Sequence, residues 1–302
     1  MLDDDVVKTM STRWGVSVAL MLAGVGCAQP PPASQFPSAQ AAIDRMRATQ
    51  ACALGVRGDM NADYFGDAGR VRGHVKLYAK RSALLRLDII NPFTNGPEAT
   101  LTADGREFAL TDMRNKQFLH GPAQPCNIGR LLGNVQLPGH VIVSSFLGQA
   151  PVLKHDAPGA IAWDGGGYYV VTLAGTQDAR EEIHLTPVPA DFGKPWAEQR
   201  VRVLSFSVVQ KGYTLYKVEL DDHRTVATAA AYQDPEHIDP DIPPSGPACN
   251  AEVPYKIWVV SPHQGVDLRL RYDEAAWNPP LRGNEFQQQP MDGLSSALVT
   301  CE

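Results

Sequence analysis

The chain has 302 residues, a formal charge of −6 and five cysteines, and 44% of its residues are hydrophobic. That length can bury a full core and fits one large β domain or two small ones. The mild acidity and the lack of a basic block argue against nucleic acid, and nothing after residue 26 approaches the roughly 18 consecutive apolar residues of a membrane helix. The first element in chain order is a signal segment. Residues 14–25 form an apolar run that follows Arg13 and ends in Ala23-Gly24-Val25-Gly26-Cys27. A run of this length matches a signal-peptide core and is too short to span a bilayer permanently. Asp3, Asp4 and Asp5 suit a positive leader poorly, whereas a start at Met10 supplies Met-Ser-Thr-Arg-Trp. Residues 1–26 are therefore set apart from the fold.

Cys27 directly after Gly26 resembles the lipobox of bacterial lipoproteins, with Gly24 standing where such boxes carry Leu. The resemblance implies that the Cys27 thiol takes a diacylglyceryl group and becomes the first mature residue; the plainer alternative is secretion with an incidental cysteine. A diacylglycerol with an added N-acyl chain exceeds the two signals that stable anchoring requires. Ala28 and Gln29 follow without the Asp that marks inner-membrane retention, so the expected location is the periplasmic face of the outer membrane in a Gram-negative bacterium. Setting Cys27 aside leaves Cys52, Cys126, Cys249 and Cys301, an even set that an oxidising compartment allows to form two disulfides. Four cysteines admit three connectivities. The expectation is Cys52–Cys126 and Cys249–Cys301, each tying a flank to the nearest body of sheet. No pair has C-x-x-C spacing, so neither a zinc knuckle nor a redox motif is indicated.

Residues 27–37 read as a lipidated N-terminus and an extended proline-rich tether, with Pro30, Pro31 and Pro32 lifting the domain from the bilayer. Ser38 reads as the cap of a helix over residues 39–51, with Ile43 and Met46 at helical spacing. From Val71 the period becomes two. Val71, Val75 and Leu77 alternate with Arg72, His74 and Lys76, and Leu85, Leu87 and Ile89 with Arg86 and Asp88. Asp104-Gly105 is a hairpin signal between residues 101–104 and 108–110. Residues 127–133 and 141–147 read as two short helices stopped by Gly133 and Gly148. Strands resume at 160–163, 168–173 and 182–185, followed by a long hairpin of 201–209 with 213–220 turning at Lys211-Gly212. Residues 234–247 hold five prolines and several acids and read as a loop. Strands 256–260 and 266–272 come last, before a non-repetitive tail that ends near Cys301.

Strands joined by tight turns predict an antiparallel sheet. Residues 201–209 put apolar side chains at both parities, Val203 and Val209 against Leu204, Phe206 and Val208. Such a strand is either covered on both faces or has one face packed and the other lining an apolar cavity. Catalytic patterns are missing. Asp234, Glu236, His237, Asp239 and Asp241 lack the glycine and terminal glutamate of a calcium loop. Gly165-Gly166-Gly167 has no phosphate-binding context, and Ser144-Ser145 lies in no nucleophile elbow. The eight histidines form no pair at metal-ligand spacing. No enzyme activity, metal or cofactor is expected.

The order of elements resembles the LolA/LolB superfamily of lipoprotein carriers, in particular its LolB-like outer-membrane lipoproteins. The matching run is a helix leading into residues 71–76, then Leu84-Leu85-Arg86-Leu87-Asp88, the loop Asn91-Pro92-Phe93-Thr94-Asn95-Gly96, the 101–110 hairpin, and Gly121-Pro122 before Leu131-Leu132-Gly133. Asn284-Glu285-Phe286, Pro290 and Gly293 fall where that superfamily has its closing strand. The resemblance implies an α+β, mainly β fold: an incomplete antiparallel β-barrel closed by short helices around an apolar cavity. It implies one domain over residues 38–302, with an extended C-terminal section from about residue 234. It also implies a monomer that binds acyl chains of lipids or lipoproteins, receives them from a periplasmic carrier, and helps insert them into the outer membrane. The alternative is a structural or assembly lipoprotein whose cavity is filled. Pro92 and Phe93 would form the transfer loop, with Phe93-Thr94 in place of the family's Leu-Gly. Read from the residues alone, Phe93 is either a turn residue folded into the core or a projecting tip. Phe118, Leu131, Leu132, Val141, Phe146 and Leu147 are the expected helical lid, and Leu204 and Phe206 the expected cavity lining; core packing explains these eight equally well.

Overall fold

A computed structural model describes residues 28–66, 69–133, 135–236 and 240–301. The signal segment and Cys27 lie outside the described residues. In chain order the elements are α1 (Ala39–Thr49), β1 (Gly55–Gly66), β2 (Gly69–Lys80), β3 (Leu84–Ile90), β4 (Pro97–Asp104), β5 (Glu107–Asp112), β6 (Gln117–Pro122), α2 (Pro125–Ile128) and α3 (Gly139–Phe146). There follow β7 (Ala160–Asp164), β8 (Tyr168–Ala174), β9 (Ala179–Pro187), β10 (Val201–Gln210), β11 (Tyr213–Thr225), β12 (Glu252–Ser261), β13 (Val266–Trp277) and β14 (Ser295–Leu298). All fourteen strands form one sheet in the order β14-β6-β5-β4-β3-β2-β1-β13-β12-β11-β10-β9-β8-β7. The sheet is curved and unclosed, mainly β with few short helices.

The topology is two meanders joined back to back. β1 to β6 run outward in sequence. The chain then crosses through α2 and α3 to the far edge, and β7 to β13 run back until β13 pairs with β1, Val56 facing Trp277 and Phe65 facing Asp267. Every pairing is antiparallel except β14 beside β6. The two ends of the sheet are therefore distinct. One rim gathers the β1–β2, β3–β4, β5–β6, β8–β9, β10–β11 and β12–β13 turns. The other gathers the helix entries, the β7–β8 turn and the long β11–β12 connection.

The apolar side chains of the alternating strands face inward, where α1 packs on β8 and β10, and α3 packs on β2, β3 and β12. Ser38 caps α1, its Oγ accepting from Ala41 N at 3.1 Å, and Ile43 and Met46 are buried. α2 covers only Pro125–Ile128 and runs into a short 3-10 turn over Gly129–Leu131, so the helix expected over 127–133 is split.

β1 escapes sequence reading for a physical reason. Gly55, Gly58, Gly66, Asp59, Asn61 and Asp63 all disfavour strands, yet β1 sits mid-sheet. Gly58 is required there because any side chain would run into the Tyr272 ring.

Residues 201–209 are corrected by a β-bulge. The register of β10 against β9 shifts between Val203 and Ser205, so the pleat changes parity at Leu204. Val201, Val203, Phe206 and Val208 therefore all point into the core, and no second apolar face exists on that strand.

The cysteine pairing also differs from expectation. The disulfides are Cys52–Cys249 and Cys126–Cys301, with Cα separations of 5.2 and 6.0 Å. The β1–β13 closure brings the turn after α1 beside the segment before β12. The parallel docking of β14 on β6 brings the tail back to α2. Neither long-range pairing has a local sequence signature, so joining each cysteine to its nearest sheet fails.

The proline-rich segment is not a free tether. Gln29 N donates to Gly165 O at 2.9 Å, and Trp163 Nε1 donates to Gln29 O at 2.9 Å. Ser34 bonds Trp196 N and Gln199 Nε2, and Phe36, 5% exposed, packs edge-on against Tyr169. A proline run lacks the donors that would bind it to itself, so its acceptors and one aromatic fasten to the sheet instead.

Candidate functional site

Two regions answer to the expected site, the inner face beneath the helices and the β3–β4 turn. On the inner face, Leu132, Val141, Phe146 and Leu147 are buried and Leu131 is half-buried against the core. Phe206 joins them from β10 at 1% exposure. Between α3 and the sheet, walled by Leu137, Ile142, Phe146, Ile257, Leu268 and Leu270 among others, the space left is about 20 Å³. That holds one water at most, against the several hundred Å³ of a typical ligand pocket. The inner face is filled by the chain's own side chains.

Two expected lining residues lie elsewhere. Phe118 is on β6, not on a helix, and it points to the outer face. There it stacks on His120 beneath the segment around Phe286 and Gln288. Leu204 is the bulge residue, half-buried and outside the core.

Gln288 fastens that outer segment. Its Nε2 donates to Thr100 O and Ala109 O at 3.0 Å, and its Oε1 accepts from Thr111 at 2.7 Å.

Phe93 is the most exposed large apolar residue among the described residues, at 94%. Its turn is built by Asn91, whose Oδ1 accepts from Phe93 N at 2.9 Å and Thr94 N at 3.2 Å. Asn91 N also donates to Gly96 O, and Asn95 closes the turn with a left-handed φ of 55°. These three hydrogen bonds hold a phenyl ring in water. The core reading of Phe93 is excluded by this geometry, and neighbouring Pro92 is exposed too.

A broad depression of about 910 Å³ lies on the outer face across β1–β3 and β11–β13. Its walls are mixed: Asp63 pairs with Arg70 and Arg72, Lys256 with Asp221, and Arg269 lies 4.9 Å over the Trp258 ring, while Ile89, Pro92 and Ile257 add apolar surface.

Sequence reading missed two buried polar groups. Glu181, 1% exposed, faces inward from β9 between Leu173 and Val208. Its Oε2 accepts from Leu153 N at 2.6 Å, and its Oε1 finds no partner among the described residues. Burial pushes the carboxyl up to about 7, so the group that clasps the segment after α3 is half neutral near neutral pH. Asn278, fully buried, bonds four backbone groups at once. Its only sequence signal is an Asn before two prolines, which reads as an ordinary turn.

No sequence-family model matches the chain, and no curated protein does. Solved structures are similar to it. A DUF1329 family protein from Desulfovibrio piger has a TM-score of 0.50 at 8% identity, covering 83% of this chain and 97% of its own. A putative outer membrane lipoprotein-sorting protein domain from Vibrio parahaemolyticus has a TM-score of 0.49 at 10% identity, covering 82% and 95%. A LolA superfamily protein from Nitrosomonas europaea has a TM-score of 0.46 at 10% identity, covering 83% and 98%. At such identities the first of these shows a shared fold, over nearly the whole of that chain.

Proposed function

We propose that the protein is an outer-membrane lipoprotein that moves acyl chains of lipids or lipoproteins into the membrane, with Phe93 guiding the transfer. The observation that carries this is the Phe93 turn. A fully solvated phenyl ring held by an Asn91 scaffold is an unfavourable arrangement for a soluble surface, and it becomes favourable on entering an apolar phase. Acylation of Cys27 supplies the anchor, residues 38–302 form the single working domain, and a periplasmic carrier supplies the cargo. Cys27→Ser should move the protein from the membrane fraction to the soluble periplasm; a mutant that still sediments with outer membranes would refute the anchor.

Phe93→Glu tests the transfer role. Lying in solvent, it should leave the melting temperature nearly unchanged, within the roughly 0.5 kcal/mol of ordinary surface changes. Transfer of a lipid to acceptor vesicles should fall at least tenfold, because roughly 1.5–3 kcal/mol of phenyl burial is lost. A stable variant with normal transfer sinks the role.

The filled inner face favours a second reading, an assembly lipoprotein that binds a partner and no lipid. Lipid extracted from detergent-free protein separates the two: bound acyl chains require α3 to move off the sheet, and an empty extract supports the interaction protein.

A further inference from the structure

The exposed apolar side chains are unevenly placed. Val71, Phe93, Met113, Tyr213 and Leu215 lie in or beside the β1–β2, β3–β4, β5–β6 and β10–β11 turns, and Met291 precedes β14. All belong to one rim of the sheet; among the described exposed large apolar residues, Tyr232 and Leu298 belong to the opposite one, and Trp258 lies within β12. Between the β3–β4 and β10–β11 turns lie six strand spacings, roughly 30 Å of arc. Tips spread this far, with polar turn residues between them, form no groove for a peptide.

The same turns carry cations. Arg114 and Lys116 flank the β5–β6 turn behind Met113, and Lys211 precedes Tyr213. All three are exposed, and none forms an ion pair among the described residues, whereas Arg70, Arg72 and Arg269 nearby are paired with Asp63 or Asp267. Lys116 and Lys211 are turn residues with left-handed φ of 51° and 50°. Apolar and aromatic tips beside unpaired cations are the pattern of a surface that enters the headgroup layer of an anionic bilayer.

We propose that this whole rim docks on an anionic lipid surface, Phe93, Met113 and Tyr213 entering the interface while Arg114, Lys116 and Lys211 meet lipid phosphates. The proposal rests on the reading that Phe93 meets a membrane, and it extends that reading from one tip to a face with a charge preference.

The test uses the chain from residue 27 onward carrying Cys27→Ser, so that neither acylation nor the apolar run of residues 14–25 confounds binding. It is sedimented with phosphatidylcholine vesicles and with vesicles that also contain phosphatidylglycerol. Binding should favour the anionic vesicles and weaken as salt is raised. Combined Arg114→Gln, Lys116→Gln and Lys211→Gln should weaken it about a hundredfold, and Lys116→Gln or Lys211→Gln alone about fivefold, so the proposal stays testable should the triple variant fold poorly. Arg106→Gln, in the exposed β4–β5 turn of the opposite rim, should leave binding within about twofold. Equal binding to both vesicle types overturns the proposal. So does no binding to either, or an equal loss from Arg106→Gln. If the cation variants bind normally while Phe93→Glu loses transfer, the charged rim is wrong and the tip stands. If they lose binding while Phe93→Glu transfers normally, the rim stands and the tip falls.

Discussion

Asn278→Ala should destabilise the protein by roughly 4 kcal/mol or more, a large share of the 5–15 kcal/mol that holds a typical domain. Asn278 is 0% exposed. Its Oδ1 accepts from Leu54 N at 2.9 Å and Gly55 N at 3.1 Å, and its Nδ2 donates to Cys52 O at 2.9 Å and Pro247 O at 2.7 Å. Alanine strands two donors and two acceptors at about 1–3 kcal/mol each, and a water entering the vacated space offsets part of that. The residue also sits at a left-handed φ of 50°, a conformation asparagine tolerates and alanine does not. Asn278→Gly separates the two causes, since glycine relieves the backbone and still removes all four bonds. Urea midpoints should place glycine nearly as low as alanine. A glycine variant close to the parent would show that backbone strain, not hydrogen bonding, sets the cost.

Removing Cys52–Cys249, as Cys52→Ala with Cys249→Ala, should cost roughly 4–5 kcal/mol and lower the melting temperature by roughly 10 °C or more. The bond closes a loop of sequence separation 197, near the upper end of what chain entropy supplies. Cys126–Cys301, at separation 175, has almost the same entropic value, yet it fastens only the tail strand to α2. Its loss should act locally, freeing β14 and leaving the main transition within roughly 2 kcal/mol. Non-reducing peptide maps check the pairing, and a peptide joining Cys52 to Cys126 would contradict it. The Cys52 and Asn278 changes should not add, because both act on the corner where β1 starts and β13 ends.

Where local chemistry decides, the fold is readable in the sequence. Ser38 and the Ile43–Met46 spacing give α1, alternation gives β2 and β3, and Asp104-Gly105 gives the hairpin between β4 and β5. Where another part of the chain decides, it is not. β1 is a strand because β2 and β13 flank it and Tyr272 covers Gly58, against the propensities of its three glycines, Asp59, Asn61 and Asp63. Leu204 disguises one apolar face as two, because a bulge changes parity without changing composition. Phe118 resembles a lid residue only until the tail is seen to cover the outer face of β6. The Phe93 loop was legible in its proline and glycine bounds. Its direction was not, because Asn91 sets it through bonds that spacing does not reveal.

The docked proline segment sets a limit on reach. Gln29 is fastened at the β7–β8 turn, at the end of the sheet opposite Phe93. Strands of 7 to 12 residues separate the two ends by roughly 20–40 Å. Releasing residues 29–36 from the sheet would cost about 1.5–3 kcal/mol for exposing Phe36 and about 1 kcal/mol for each lost hydrogen bond. The contacts of Phe36 with Tyr169 and of Trp163 with Gln29 thus fix where the N-terminal segment leaves the sheet.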